Sequence, residues 1–199
     1  MALSFRLILP TLAIVVLAGC SAGAGGAGES GAGEGAGAGA NVADCVMGHT
    51  WNADVPDIGE QLFAQLQANG TPATSAVASG TQDLTWGMDG AVQVDTNYTF
   101  TVVSPLSEGL ILTMQQIHAG PTVGQLTIAG DIATPTSWDS SGYTISTVMD
   151  INGQAASMNF PIPDAGLGAG VLLTVTCEGN SMTTFSEGGF VTTKWSRAD

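Results

Sequence analysis

Few side chains in this sequence are suited to catalysis or to metal binding. The two histidines, His49 and His118, stand in no local pattern typical of a catalytic triad, a zinc-binding helix or a nucleophile turn. Each is therefore expected on the surface of a strand. Asp150 and Asn152 have the spacing of the first ligands in a calcium loop, but the remaining ligands are missing and a hairpin turn accounts for them. We expect no catalytic residue, no metal site and no cofactor, and hence no enzyme.

The cysteine at position 20 follows an export signal. Residues 1–19 contain one cation, Arg6, then an apolar run that is shorter than the roughly 20 residues of a membrane-spanning helix. The residues Leu-Ala-Gly-Cys at 17–20 resemble the lipobox of bacterial lipoproteins. This resemblance implies cleavage before Cys20, lipid on its thiol and attachment to the outer face of the bacterial cell membrane. The alternative is an ordinary secretory signal that is cleaved near a cysteine.

The other two cysteines, Cys45 and Cys177, stand near the two ends of the part of the chain that we expect to fold. With Cys20 lipidated in an oxidising compartment, these two remain as a pair, for which a disulfide is the expected state. A reactive or metal-binding cysteine is the alternative. It lacks a CxxC motif and a neighbouring group of ligands.

The charge of the chain excludes one class of partner. Once residues 1–19 are removed, only Lys194 and Arg197 oppose 17 acidic residues. Nucleic-acid binding depends on clusters of Lys and Arg, so we expect no such partner. The same negative charge repels an anionic lipid surface, so membrane attachment must depend on the lipid anchor. The acidic residues are expected to keep the domain soluble and monomeric.

Composition divides the mature chain into two parts. Residues 20–40 are the lipidated cysteine and a tether of almost only Gly, Ala and Ser with two Glu, which is typical of a flexible linker. Residues 41–199 have the length of one domain with a substantial core. One amphipathic helix is predicted near the start of this domain, with Ile58, Leu62 and Leu66 on one face, a capping box at Asp57 and an end at 69–70.

The rest of the domain has the alternating pattern of antiparallel strands. Turn pairs recur at short intervals, and most strands are apolar on one face only. This pattern predicts a mainly β fold: an antiparallel barrel or a strongly curved sheet with the one helix, with a β-sandwich as the competing architecture. The expected inward faces are Val92, Val94, Tyr98, Phe100 and Val102; Tyr143, Ile145, Met149 and Ile151; and Val171, Leu173, Val175 and Cys177.

Two short segments resemble the lipocalin-like (calycin) barrels, in particular small secreted lipoproteins of actinobacteria. The segment Cys-Val-Met-Gly-His-Thr-Trp at 45–51 resembles their first strand, and Trp-Ser-Arg at 195–197 resembles their last. The resemblance implies that Arg197 lies over the indole ring of Trp51 as a cation–π pair. Lipocalins have one residue between the Gly and the Trp, whereas this chain has two, and one extra residue reverses the face of a strand unless a bulge absorbs it.

A barrel of about eight strands is either filled by its side chains or hollow enough for one small ligand. The side chains expected to line such a cavity are Tyr98, Phe100, Tyr143 and Met149. The sequence thus indicates a membrane-anchored binding module for a small apolar molecule or lipid. The alternative is a structural or interaction protein of the cell envelope with a filled core.

Overall fold

A computed structural model describes residues 41–107, 109–156 and 170–198 of the chain. The export signal, Cys20 and the tether lie outside these described residues. The described part is mainly β, with two helices, α1 (Val42–Val46) and α2 (Val55–Ala68). The strands are β1 (His49–Ala53), β2 (Ser75–Trp86), β3 (Ala91–Ser107), β4 (Leu110–Ala129), β5 (Ile132–Asp139), β6 (Thr144–Ile151), β7 (Gln154–Ala156), β8 (Leu173–Glu178), β9 (Ser181–Ser186) and β10 (Thr192–Arg197).

All the described strands belong to one antiparallel sheet. Its order is β3-β2-β1-β10-β9-β8-β5-β4-β6-β7, and β3 also pairs with β4. The additional pairing joins the sheet to itself, so eight strands follow one another in a ring-like arrangement, here called the ring. The mainly β prediction is confirmed, and the strands form a single sheet instead of the two sheets of a sandwich.

The strand β4 changes partner along its length. Its first part, 112–119, pairs with β6, and its last part, 123–129, pairs with β5, while β3 pairs with residues 110–125 on the other side. The change occurs beside Gly120, whose φ of 108° is a conformation that favours glycine. A Cβ at this position would collide with the carbonyl oxygen of Gly142. The hairpin β6–β7 therefore branches from the ring at the point where β5 leaves β4.

One end of the ring is filled by a tryptophan-rich group, here called the closed-end cluster. Trp51 and Trp86 are almost fully buried in it. Trp51 Nε1 donates to the carbonyl oxygen of Val46 at 3.1 Å, and Trp195 Nε1 donates to Thr184 Oγ1 at 2.9 Å. The other buried members are Leu84, Val92, Val94, Leu126, Ala133, Leu173, Val175 and Met182.

The extra residue before Trp51 does not turn its side chain outward. Gly48 adopts a φ of 78°, and β1 begins only at His49, so the chain reaches Trp51 on the inner face. Arg197 is the strand partner of Trp51, and its Cζ lies 5.0 Å from the centre of the indole ring. An Nη atom of Arg197 also donates to the carbonyl oxygen of Cys45 at 2.8 Å. The pair thus covers the closed end of the ring.

The other end of the inner face is covered by α2. Val55 and Leu62 of this helix form a second group, here called the helix-side cluster, with residues of β2, β3, β4 and β6. Gly59 permits the close approach, because a Cβ there would meet the backbone nitrogen of Ala78 at 2.4 Å. The sheet contributes Ala76, Ala78, Phe100, Val102, Leu112, Met114 and Met149.

The helix begins earlier than its sequence pattern suggested. The capping box at Asp57 is wrong: the N-cap is Asp54, whose carboxylate accepts from the backbone N–H of Asp57 at 3.2 Å. Pro56 sits in the first turn, where its missing N–H has no intrahelical partner to lose. The predicted end is confirmed, with Asn69 as the C-cap and Gly70 at a φ of 75°. Neither this helix nor α1 is long and apolar enough to cross a membrane.

Polar contacts fix α2 against β10. Gln61 donates to the carbonyl oxygen of Thr192 at 2.7 Å and accepts from its N–H at 2.9 Å. Lys194 Nζ lies 2.6 Å from Asp57 Oδ1, and this hydrogen bond, with the attraction between the charges, raises the pKa of Lys194. Lys194 is exposed, so the ion pair orients the helix and adds little to stability.

The disulfide expected between Cys45 and Cys177 is present. It joins α1 to the end of β8, and the two Cα atoms are 6.0 Å apart. The bond closes a loop with a sequence separation of 132 residues. It therefore holds the start and the end of the domain together beside Arg197.

Replacing Cys45 and Cys177 together with serine should lower the free energy of unfolding. The chain-entropy model gives about 4 to 5 kcal/mol for a loop of this length, because the unfolded chain regains freedom that the bond removes. Urea unfolding of the oxidised protein and of the double variant measures the difference. Alkylation of both thiols in the native protein, before any reductant is added, would contradict the expectation.

Candidate functional site

A polar band crosses the inner face of the sheet between the two apolar clusters. Alternate residues of β3 and β4 point inward, and the apolar alternation breaks at Thr96 on β3 and at Gln116 and His118 on β4. All three side chains are buried. Buried polar groups are stable only when hydrogen-bonded, so this band must contain an ordered network.

The network is centred on His118, which is 6% exposed. His118 Nε2 lies 2.8 Å from Gln116 Oε1, and His118 Nδ1 is hydrogen-bonded to the hydroxyl of Tyr143. The ring of Tyr98 stacks on the imidazole with centroids 4.5 Å apart and planes inclined by 16°. Tyr143 also presents its ring at 6.0 Å and 42°. These four residues, Tyr98, Gln116, His118 and Tyr143, are here called the His118 cluster.

The side-chain oxygen of Gln116 can only accept, so His118 Nε2 donates to it. The role of His118 Nδ1 in its bond to the Tyr143 hydroxyl is set by the protonation of the imidazole.

Strand pairing places the His118 cluster beside a partly exposed stretch of the inner face. Tyr98 and Ile145 are the two cross-strand partners of His118, on β3 and β6. Partners in antiparallel pairs point to the same face. Ile145 is 40% exposed, and Tyr98 and Tyr143 are half-buried. The cluster is therefore approached from the side of β6, where the hairpin has branched from the ring.

The strand residues next to the His118 cluster are uncharged. Gly80 of β2 pairs with Tyr98, which in turn pairs with His118. Thr147 of β6 pairs with Gln116. Asp83 and Asp95, the nearest acids on β2 and β3, pair with each other and belong to the opposite face. The described strand partners of His118 on this face, Tyr98 and Ile145, are thus uncharged.

The structure divides the four expected lining residues into two pairs. Tyr98 and Tyr143 both contact His118, and Phe100 and Met149 are buried in the helix-side cluster at 3% and 8% exposure, against which Tyr98 also packs. The expectation that His118 lies on a strand surface is wrong, because it shares the inward face of β4 with Leu112 and Met114. Every second residue of β4 from Leu112 to His118 faces inward, and this alternation was the sequence signal for the burial of His118.

Two other places could have held a metal ion or a ligand. Asp150 and Asn152 lie in a hairpin turn. Asp150 accepts a hydrogen bond from the N–H of Gly153 at 2.9 Å, and the side chain of Asn152 is hydrogen-bonded to the backbone of Gly109 and Ile111. Within residues 41–107, 109–156 and 170–198, no three His, Cys, Asp or Glu side chains gather as a metal site. A solvent-open depression of about 310 Å³ lies on the β8–β9 hairpin beside Cys177 and Met182, remote in sequence from the His118 cluster.

Comparisons with known proteins add no relative to this description. No protein-family model matches the chain, and neither the curated proteins nor the solved structures contain a match.

Proposed function

We propose that this protein is a lipid-anchored, extracytoplasmic lipoprotein whose lipocalin-like barrel binds a small neutral ligand at the His118 cluster. The lipobox-like residues 17–20, the Gly/Ala-rich tether and the net negative charge support the location. The return of the sheet onto itself through β3 and β4, and the pairing of Trp51 with Arg197, support the lipocalin-like reading.

One observation supports the proposed binding of a ligand most directly. His118 is buried and hydrogen-bonded through both ring nitrogens, yet the tyrosines bonded to it and stacked on it are half-buried at a partly exposed inner face. Apolar residues of similar volume would often fill such a position at equal or better stability. Small-molecule sites are typically formed before the ligand binds, and they combine aromatic side chains with a few polar groups that solvent can reach from one side.

Native mass spectrometry of the protein purified from its own host tests the proposal directly. We expect a retained small molecule whose mass is lost on denaturation. The same preparation of a His118→Leu variant should retain less of it, provided that thermal melting shows the variant to be folded. A wild-type protein that carries no extra mass and binds no apolar probe would contradict the binding role.

A second candidate is an interaction protein of the envelope with a filled core. It is favoured by the β3–β4 hairpin tip, where Leu106, Leu110 and Ile111 are 45%, 43% and 49% exposed. Asn152 holds this tip by accepting from the N–H of Ile111 at 3.0 Å and donating to the carbonyl oxygen of Gly109 at 2.9 Å. Exposed apolar side chains grouped in this way are typical of a protein contact.

Phe100→Ala and Met149→Ala separate a packed interior from a hollow one. Both side chains are buried beneath α2, so in a packed interior each truncation should leave a void and lower the free energy of unfolding by roughly 2 to 5 kcal/mol. Phe185→Ala is the matched control, because Phe185 is 38% exposed on β9 and should change stability little. Thermal melts and titration with a fluorescent apolar probe are made on all three. Small losses of stability with increased probe binding would instead indicate a cavity beneath α2.

A further inference from the structure

We propose that the disulfide between Cys45 and Cys177 is a site of thiol–disulfide exchange, at which an external thiolate attacks Cys177 and reduction releases α1. This inference is independent of ligand binding at the His118 cluster. It follows from three properties of the described residues: the unequal exposure of the two cysteines, the charges beside each of them and the contacts that hold α1.

The two bonded cysteines differ in their access to solvent. Cys45 is buried at 9% exposure, whereas Cys177 is half-buried and lines the solvent-open depression of about 310 Å³ on the β8–β9 hairpin. The rate of thiol–disulfide exchange depends on which sulfur a thiolate can reach. A small thiol that enters the depression therefore reaches Cys177 before Cys45.

The charges beside the two cysteines favour the same direction of attack. The guanidinium group of Arg197 donates to the carbonyl oxygen of Cys45 at 2.8 Å, so it places a positive charge beside this residue. Glu178 follows Cys177 directly and lines the same depression. A nearby cation stabilises a departing thiolate, and a nearby anion opposes one. Cys45 is therefore the better leaving group, and Cys177 is the residue that is attacked.

The exchange takes place in two steps, with a dithiol as the reductant. In the first step one thiolate of the dithiol forms a bond to Cys177 Sγ, the bond between Cys45 and Cys177 breaks, and its electron pair passes to Cys45 Sγ. In the second step the other thiolate of the dithiol attacks the reductant's own sulfur in the mixed disulfide and frees Cys177. The dithiol is oxidised to a disulfide, and its two protons pass to the two cysteine thiols of the protein.

Reduction removes the covalent link between α1 and β8. The contacts that remain include the burial of Val46, which is 0% exposed, and the hydrogen bonds from Trp51 to the carbonyl oxygen of Val46 and from Arg197 to that of Cys45. A helix of five residues is too short to be stable by itself. We therefore expect α1 to open more often in the reduced protein, while the paired strands remain folded.

Trapping the mixed disulfide in the full-length protein identifies the sulfur that is attacked. The oxidised protein is treated briefly with cysteamine, the freed thiols are blocked with N-ethylmaleimide, and the peptides are analysed by mass spectrometry. We expect cysteamine on Cys177 and N-ethylmaleimide on Cys45, in at least about tenfold excess over the reverse arrangement. Equal amounts of the two arrangements, or cysteamine mainly on Cys45, would overturn the proposal.

Variants test whether the thiol enters through the depression. Ser181→Trp places a large side chain in the depression and should slow reduction by cysteamine about tenfold. Thr174→Trp is the matched control, because Thr174 is exposed on the same strand as Cys177 but does not line the depression. Thermal melting of the oxidised variants shows whether they are folded, and the trapping result on the wild type does not depend on them. Equal rates in the two folded variants would contradict entry through the depression.

The carboxylate of Glu178 predicts which thiols react best. It repels an anionic reagent, so cysteamine, which carries a positive charge, should reduce the bond faster than 3-mercaptopropionate does, once each rate is corrected for the thiolate fraction of the reagent. Glu178→Gln should narrow this difference about threefold. An unchanged ratio in this variant would contradict attack beside Glu178.

Hydrogen–deuterium exchange measures the release of α1. The backbone N–H groups of Cys45 and Met47 donate within this segment to the carbonyl oxygens of Asn41 and Ala43. After full reduction by dithiothreitol, residues 42–48 should exchange at least about tenfold faster, whereas β2 and β3 should change by less than about twofold. Unchanged exchange in 42–48, or equal acceleration throughout the sheet, would overturn the release of α1 as a separate event.

Discussion

Replacing Cys20 with alanine should leave the protein unprocessed or release it into the medium. The thiol of Cys20 is the only lipid acceptor at the expected cleavage site, and residues 1–19 are too short for a permanent membrane span. Lipid chains contribute about 0.8 kcal/mol for each buried methylene, so loss of two or more chains removes most of the membrane affinity. The remaining acidic domain has no cationic patch that could replace them.

Detergent-phase partitioning and globomycin sensitivity of processing measure this effect. The wild type should enter the detergent phase and accumulate as a precursor in globomycin. Cys45→Ala is the matched control, because it removes a cysteine without changing the motif at 17–20, and it should remain anchored. Normal cleavage and continued membrane association of Cys20→Ala would contradict the lipoprotein proposal.

The alternation of the longest strands predicted their inward faces well. Val92, Val94, Phe100 and Val102 of β3 are all buried, and Leu173 and Val175 of β8 are buried too. The pattern of β6 was less informative: Met149 is buried, but Ile145 is 40% exposed. The difference arises because Met149 also pairs with Ala156 of β7 and belongs to the helix-side cluster, whereas Ile145 pairs only with β4 among the described strands. Sequence alternation defines a face but not the extent to which other strands cover it.

The central residue of the candidate site was missed for a related reason. His118 was expected on a strand surface, although it and Gln116 continue the inward alternation of Leu112 and Met114. Burial depends on partners that are distant in sequence, here Tyr98 on β3 and Tyr143 before β6. Single residues carry no signal for such a network. Tyr98 and Tyr143 were predicted individually, but their meeting at one histidine required the sheet pairing.

Trp51→Ala should cause a large loss of stability for a single substitution in the described domain. Trp51 is fully buried in the closed-end cluster. Its indole N–H donates a hydrogen bond to the carbonyl oxygen of Val46, and the guanidinium group of Arg197 lies over its ring. Truncating a packed tryptophan costs about 3 to 5 kcal/mol, and we expect the upper part of this range because the hydrogen bond and the cation–π contact are lost as well.

Urea unfolding measures the change. Trp138→Ala is the control, since Trp138 is only partly buried at the edge of the same cluster. Equal losses in the two variants would contradict a special role for Trp51.

A double-mutant cycle isolates the contact between Trp51 and Arg197. Arg197→Met keeps an apolar stem over the ring but removes the charge and the hydrogen bond to Cys45, while Trp51→Leu removes the aromatic face. If the pair is coupled, the double variant should be more stable than the sum of the two single losses predicts, by about 0.5 to 2 kcal/mol. A coupling energy near zero would mean that Arg197 stabilises the closed end mainly through Cys45. Trp51 and Arg197 are also paired through the backbone of β1 and β10, so the cycle, which changes only side chains, measures the contact between the indole and the guanidinium group.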